Sequence, residues 1–217
     1  MIFDSSATGF KLPPNQRPEN CTRFNRNFVK NSTSLLYDLL KQDSRVLTLG
    51  DGDFSYSLCI AESNSCVGMK SQIVATSYES EETVINVYPT GRENLQKLLA
   101  RNVTVKHSVD AANLLQSFQM SDFPGPALLF DVVVWNFPCI AARNGADGQT
   151  TELEENRELL RNFFNNIHQF LVHDPAEGRI GAVHVTHKTS EPFSWWGIRR
   201  IAEECDLNFH GAVVFDR

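Results

Sequence analysis

The sequence predicts an α/β domain built on a mostly parallel sheet with helices on both faces. Short runs of β-compatible apolar residues alternate along the chain with patterns of helical period, the order from which parallel sheets are built. One run, residues 130–135 (FDVVVW), is almost continuously apolar, as expected of a strand buried on both faces. Another, 46–49 (VLTL), runs straight into Gly50-Asp51-Gly52 and an amphipathic stretch with Phe54, Leu58 and Ala61, which reads as a strand turning sharply into a helix.

At 217 residues one such domain, with a sizeable core, accounts for the chain. Residues 1–33 hold Pro13, Pro14 and Pro18 among polar side chains and read as an irregular N-terminal arm; residues 34–217 read as the domain. The arm carries Lys11, Arg17, Arg23, Arg26 and Lys30 with Phe24 and Phe28 interleaved, which suits either a solvated tail or an RNA-contacting segment. Apolar residues at 35, 36, 39 and 40 predict a short helix beside the first strand. The second strand is 73–78, followed by a helix that Ser80 can cap and that Pro89 interrupts before 94–100 resumes it. The third strand is 103–109, and a short helix with Leu114, Leu115 and Phe118 follows it. After the fourth strand, 130–135, a polar loop over 141–151 is long enough to be an active-site lid. The best helical period of the chain runs from Leu153 to Leu171. A fifth strand at 180–186, a helix over 192–205 and the start of a sixth strand at 212–215 complete the order.

Composition excludes several classes. No apolar run approaches the roughly 18 to 20 residues that a membrane helix needs. The N-terminus lacks a basic start followed by an apolar core, so the expectation is an intracellular protein. The cysteines (Cys21, Cys59, Cys66, Cys139, Cys205) form no Cys-x-x-Cys pair, which argues against a structural metal or a disulfide framework. A net charge of -6 argues against a surface coated for nucleic acid, although charge can be local.

In open α/β sheets ligands bind beyond the carboxyl ends of the strands. The groups at those ends are Gly50, Asp51, Gly52 and Asp53, then Glu79, Asp110, Asn136 to Cys139, and His187-Lys188. Each has a role if the ligand is S-adenosylmethionine: the glycine turn approaches the amino-acid and ribose part, Glu79 accepts from the ribose hydroxyls, and Asp110 accepts from the adenine amino group. The plainer alternatives are an exposed acid near a helix start for Glu79 and a helix cap for Asp110. A nicotinamide cofactor wants its acid about 20 residues after the turn, and Glu79 is further away. Proline after Asn136 and Phe137 keeps the chain extended, so that the asparagine amide can meet the edge of a planar base.

GDGDFSYSL, TSYES, HSVDA, WNFP and VHVTHK, in this order and at these spacings, resemble the Rossmann-like methyltransferase domain of the ribosomal RNA uridine-N(3)-methyltransferase family over about residues 44–215. The resemblance implies an S-adenosylmethionine-dependent enzyme that methylates a uridine ring nitrogen of large-subunit rRNA, with rRNA or the pre-ribosome as partner and the nucleolus as its place. It implies that Gly50, Asp51, Gly52, Asp53 and Ser55 line the cofactor, that Glu79 and Asp110 take ribose and adenine, and that Asn136 and Pro138 face the target base. The chain departs from the family at Cys139, where histidine is usual, and at Thr186-His187-Lys188, where Thr-Leu-Lys is usual. It also stops at Arg217, before the family's closing hairpin, so a sheet lacking its last strand is expected.

A uridine ring N–H must lose its proton, and His187, His184 and Asp53 are the candidate bases, with Lys188 placed to stabilise the resulting anion. His184, between Val183 and Val185, also reads as a hydrogen-bonded core residue. Pro138-Cys139 admits a pyrimidine C5-methyltransferase with a thiolate nucleophile. A non-catalytic module that binds cofactor or RNA is the remaining alternative.

Overall fold

A computed structural model describes residues 1–5, 44–66, 72–118, 129–140 and 153–212, with side chains described throughout except at 64–66. The helix expected near 34–42, the loop over 141–151, the basic arm beyond residue 5 and the chain end after 212 lie outside the described residues.

The order is β1 (Ile2–Asp4), β2 (Arg45–Leu49), α1 (Ser55–Cys66), β3 (Gln72–Thr76), α2 (Glu81–Val87), α3 (Gly91–Ala100), β4 (Thr104–Lys106), α4 (Leu114–Ser117), β5 (Val132–Asn136), α5 (Leu153–Ile167), β6 (His173–Asp174), β7 (Arg179–Ile180), β8 (Ala182–Thr186), α6 (Ile198–Glu204) and β9 (Asn208–Gly211). Seven strands form one sheet in the order β4-β3-β2-β5-β8-β1-β9, and β6 and β7 make a small separate ribbon. Strands β4, β3, β2, β5 and β8 are mutually parallel. The chain builds outward from β2 in one direction and then from β5 in the other, so the strand order reverses between them, where an open sheet leaves a crevice.

Alternation along the strands sorts the core into two layers. Leu47, Leu49, Val133, Trp135, Val183 and Val185 face α5 and α6, while Val46, Val132 and Val134 face α1, α2 and α3. Ser80 caps α2 by accepting from the Thr83 N–H, as the sequence predicts, and α2 stops before Pro89. The stretch over 192–205 is not one helix: Gly197, in the left-handed conformation, divides a 3₁₀ turn at Phe193–Trp196 from α6.

One expectation is corrected at the sheet's far edge. Residues Ile2–Asp4 are not irregular but form β1, antiparallel to both β8 and β9, with Ile2 opposite His184 and Phe3 opposite Phe209. A strand from the opposite end of the chain therefore stands beside β8. The physical reason is burial. Phe3 is fully buried against Phe164 and Phe209, both 5.6 Å away between ring centroids. Asp4 meets His210 at 2.6 Å. Before the strand start expected at 212–215, which lies outside the described residues beyond 212, Asn208–Gly211 form β9, antiparallel to β1.

Candidate active site

The turn after β2 is stitched to its neighbours. Gly50 has φ 60°, a left-handed conformation that glycine adopts freely, and a Cβ there would lie 3.4 Å from the Trp135 indole nitrogen. The Asp51 N–H donates to Thr76 O at the end of β3 (2.9 Å). The Asp51 carboxylate accepts from the Ser57 N–H (2.7 Å) and hydroxyl (2.5 Å) in the first turn of α1, where the helix dipole favours an anion. Burial pushes the Asp51 pKa up, and the Ser57 bonds pull against that rise. Phe54 enters α1 with φ 61°, fully buried and edge-on to His107. Such a conformation in a bulky residue stores strain at the site.

Gly52 has a further reason beside the one the sequence suggests. A Cβ on it would fall 2.7 Å from the Tyr88 hydroxyl, so the glycine also makes room for a tyrosine. That hydroxyl donates to the Glu79 carboxylate at 3.4 Å, and Tyr88 thereby spans from the glycine turn to the acid after β3. The backbone of Glu79 is pinned by the Ser77 hydroxyl and the Ser108 N–H, which both donate to its carbonyl. Asp53 turns the same way. For its carboxylate burial pushes the pKa up, but bonds from Ser55 and from the Thr90 hydroxyl prevail and hold it below the ordinary value. Asp110 caps the turn at Ala111–Asn113, accepting from the Ala112 N–H and the Asn113 amide, both at 2.9 Å.

Across the crevice, the Asn136 carbonyl oxygen accepts from the Thr186 hydroxyl at 2.6 Å. Phe137 follows with φ 51°, its N–H donating to Thr186 O, and the Ile140 N–H donates to the buried Asn156 side chain. The loop is thus fixed from β8 and from α5. Pro138 is buried, while Cys139 is exposed. The proline is packed into the loop that carries Asn136.

Between the two strand ends lies a cavity of about 410 Å³, lined by Gly50, Asp51, Gly52 and Ser55 from the turn and by Asn136 and Phe137 from β5. Its size suits a small-molecule ligand. The structure brings these predicted residues together. It leaves Asp53, Glu79, Asp110, Pro138, His187 and Lys188 outside the lining. Tyr56, which also lines the cavity, and Tyr88 and Thr186 are site residues that periodicity alone did not single out. Burial pushes the Tyr56 pKa up to about 12, so its hydroxyl stays protonated.

His187 stands beyond β8 with its ring 4.5 Å from that of Trp196, and its Nδ1 pairs with the Lys188 carbonyl at 2.9 Å. A carbonyl only accepts, so Nδ1 carries the proton and Nε2 keeps its lone pair. Burial lowers the His187 pKa and keeps the ring neutral near pH 7. His184 sits mid-strand, and its Nε2 is buried without a hydrogen-bond partner among the described residues, contrary to the hydrogen-bonded core residue expected. Among the described residues no group of acids, histidines and cysteines could hold a metal, and no helix is long and apolar enough to cross a membrane.

This geometry can be set beside known proteins. The family described as BMT5-like, rRNA (uridine-N3-)-methyltransferase, matches residues 47–217. The chain belongs to that family. Among relatives of this BMT5-like chain, the uncharacterized Arabidopsis thaliana protein At4g26485 is 32% identical over 160 residues, 73% of this chain and 70% of its own. Heavy metal-associated isoprenylated plant protein 41 of Arabidopsis thaliana is 33% identical over 80% of this chain, a region spanning 31% of that protein. The 25S rRNA (uridine(2634)-N(3))-methyltransferase of Saccharomyces cerevisiae is 27% identical over 58% of this chain and 41% of its own length. A SAM-dependent methyltransferase from Aquifex aeolicus aligns with a TM-score of 0.49 at 18% identity, over 90% of this chain and 88% of its own.

The protein is a methyltransferase, and S-adenosylmethionine is the cofactor its residues must fit. They do so chemically. The half-buried carboxylate of Asp51 lines the cavity, and it is an anion that could complement the positive charge of an ammonium or sulfonium group. When bound, the cofactor supplies an electrophilic methyl group.

Proposed function

We propose that this chain methylates N3 of a uridine in large-subunit rRNA, acting in the nucleus or nucleolus. The observation that carries the reading is Asn136, whose carbonyl oxygen is engaged by Thr186 at the cavity wall. With that oxygen occupied, the amide NH2 is the group left to donate. The N3 edge of uracil presents a carbonyl oxygen on each side of N3, so a fixed NH2 donor meets an acceptor there; cytosine would present its own amino donor at one of those places.

In this reading Gly50, Asp51, Gly52, Asp53 and Ser55 hold the amino-acid end of the cofactor, Glu79 its ribose and Asp110 its adenine. Asn136 orients the base, Pro138 sets the loop that carries Asn136, and His187 takes the N3 proton through its free Nε2. Lys188 stabilises the anion that forms. Of the three candidate bases, His187 is favoured because Asp53 is tied to Ser55 and Thr90, and His184 is enclosed in the sheet. The chain's contribution is mainly positioning for in-line transfer.

The test is incubation of the protein with S-adenosylmethionine and large-subunit rRNA, followed by nucleoside mass spectrometry. The expected product is 3-methyluridine, lost in N136A, with an acid limb in the rate profile below pH 6.5 that disappears in H187A. A 5-methylpyrimidine product that depends on Cys139 would refute the assignment.

A further inference from the structure

Beyond the cavity, the same end of the sheet carries a segment that the cofactor site does not use, residues 187–196. Trp196 is 1% exposed and anchors the segment in the core, with the His187 ring against it. Trp195, its neighbour, points the other way and is 53% exposed. Its backbone is held: the Arg157 guanidinium of α5 donates to the Trp195 carbonyl at 2.5 Å, and the Trp195 N–H donates to Pro192 O at 3.1 Å. At the inner edge the Lys188 ammonium stands 4.3 Å from the Phe193 ring centroid. The other large exposed apolar residues among those described, Tyr78, Val87, Leu99 and Leu115, belong to the β3, α2, α3 and α4 regions on other parts of the molecule.

The segment is also coupled to the base-facing loop. Thr186, just before it, engages Asn136, while Asn156 and Arg157, adjacent on α5, reach Ile140 on one side and Trp195 on the other. One helix turn therefore fixes the loop after β5 and the tryptophan in a common frame. An indole that is more than half exposed on a backbone held in place is a platform on which an unpaired base can stack.

We propose that Trp195 is the stacking platform for a base flanking the target uridine in single-stranded RNA, with the Phe193 ring, over which the Lys188 ammonium stands, forming the inner edge of that seat toward the target base. The inference rests on the RNA-methyltransferase reading and adds to it the surface that holds the strand. Its occupant is a single-stranded RNA, because stacking on an exposed indole needs an unpaired base.

The test uses the full chain, a ten-nucleotide oligouridylate as probe, and binding followed by fluorescence anisotropy, with S-adenosylmethionine affinity measured separately by calorimetry. W195A is expected to weaken RNA binding by roughly tenfold, the scale of one lost base stack, while W195F keeps affinity within about threefold of wild type. Cofactor affinity and melting temperature should stay unchanged in both. Wild-type RNA affinity in W195A, or an oligouridylate that the wild-type protein does not bind, overturns the proposal. Loss of RNA affinity in W195A from a protein whose product is not 3-methyluridine would keep the platform and remove the N3 assignment, so the two ideas fail separately.

Discussion

His184 makes the stability of this fold dependent on acid in a way that can be calculated. It lies mid-strand in β8, paired with Ile2 of β1 and Val134 of β5, and burial lowers its pKa from 6.5 to about 3, with the nearby N-terminal amine adding to the effect. Because the folded value is depressed, the native state binds fewer protons than the unfolded chain between those two values. The stabilisation is fully present above the unfolded value of 6.5 and is lost as pH falls toward 3. At about pH 5 an unfolded histidine is almost wholly protonated and the native one is not, which costs about 2 kcal/mol relative to about pH 7.5. That figure barely changes if the folded pKa is a full unit higher, because the unfolded value sets it. The measurement is urea denaturation of wild type and H184L at both pH values. The Met1 amine, which burial lowers to about 6, shifts both proteins in the same sense and cancels in the comparison. The wild type should lose about 2 kcal/mol more than H184L on acidification; equal losses would refute the argument that the imidazole is held neutral in the sheet.

Two further outcomes are expected. Y88F removes only the hydroxyl between Gly52 and Glu79 and should weaken S-adenosylmethionine binding by about two- to fivefold in calorimetry with little change in melting temperature, and an unchanged affinity would detach Tyr88 from the cofactor site. Gly181 would place a Cβ 2.7 Å from Phe130 O and 2.9 Å from Val172 N, both backbone atoms in hydrogen bonds. G181A should therefore cost about 1–3 kcal/mol, read as a melting point lower by several degrees, and wild-type stability in that variant would contradict the packing described.

The legible part of the fold lies wherever a residue's neighbours in sequence are also its reasons. The apolar runs at β2, β3, β5 and β8, the Ser80 cap and the break at Pro89 follow from alternation, hydroxyl chemistry and a missing N–H, all of which act within a few residues. The left-handed turn at Gly50 and the strand-end position of Asn136 belong to the same class, which is why the cavity's two walls could be named from the sequence. Strand boundaries shift by a few residues because pairing partners, not propensity, set where a ladder stops.

What stayed hidden depends on residues far apart in the chain. β1 has only three residues, and its place beside β8 rests on Phe3 meeting Phe164 and Phe209 and on the Met1 amine reaching Val185 O, contacts with no local signal. That Gly52 also makes room for Tyr88 is visible only once the two are folded together. The direction of the Asn136 amide, the proton position on His187 and the open face of Trp195 are likewise set by Thr186, the Lys188 carbonyl and Arg157. Sequence alone established the chemical classes at the strand ends, because those residues are local to their turns. Their orientation waited on the folded chain, because a hydrogen bond between distant residues leaves no periodic trace.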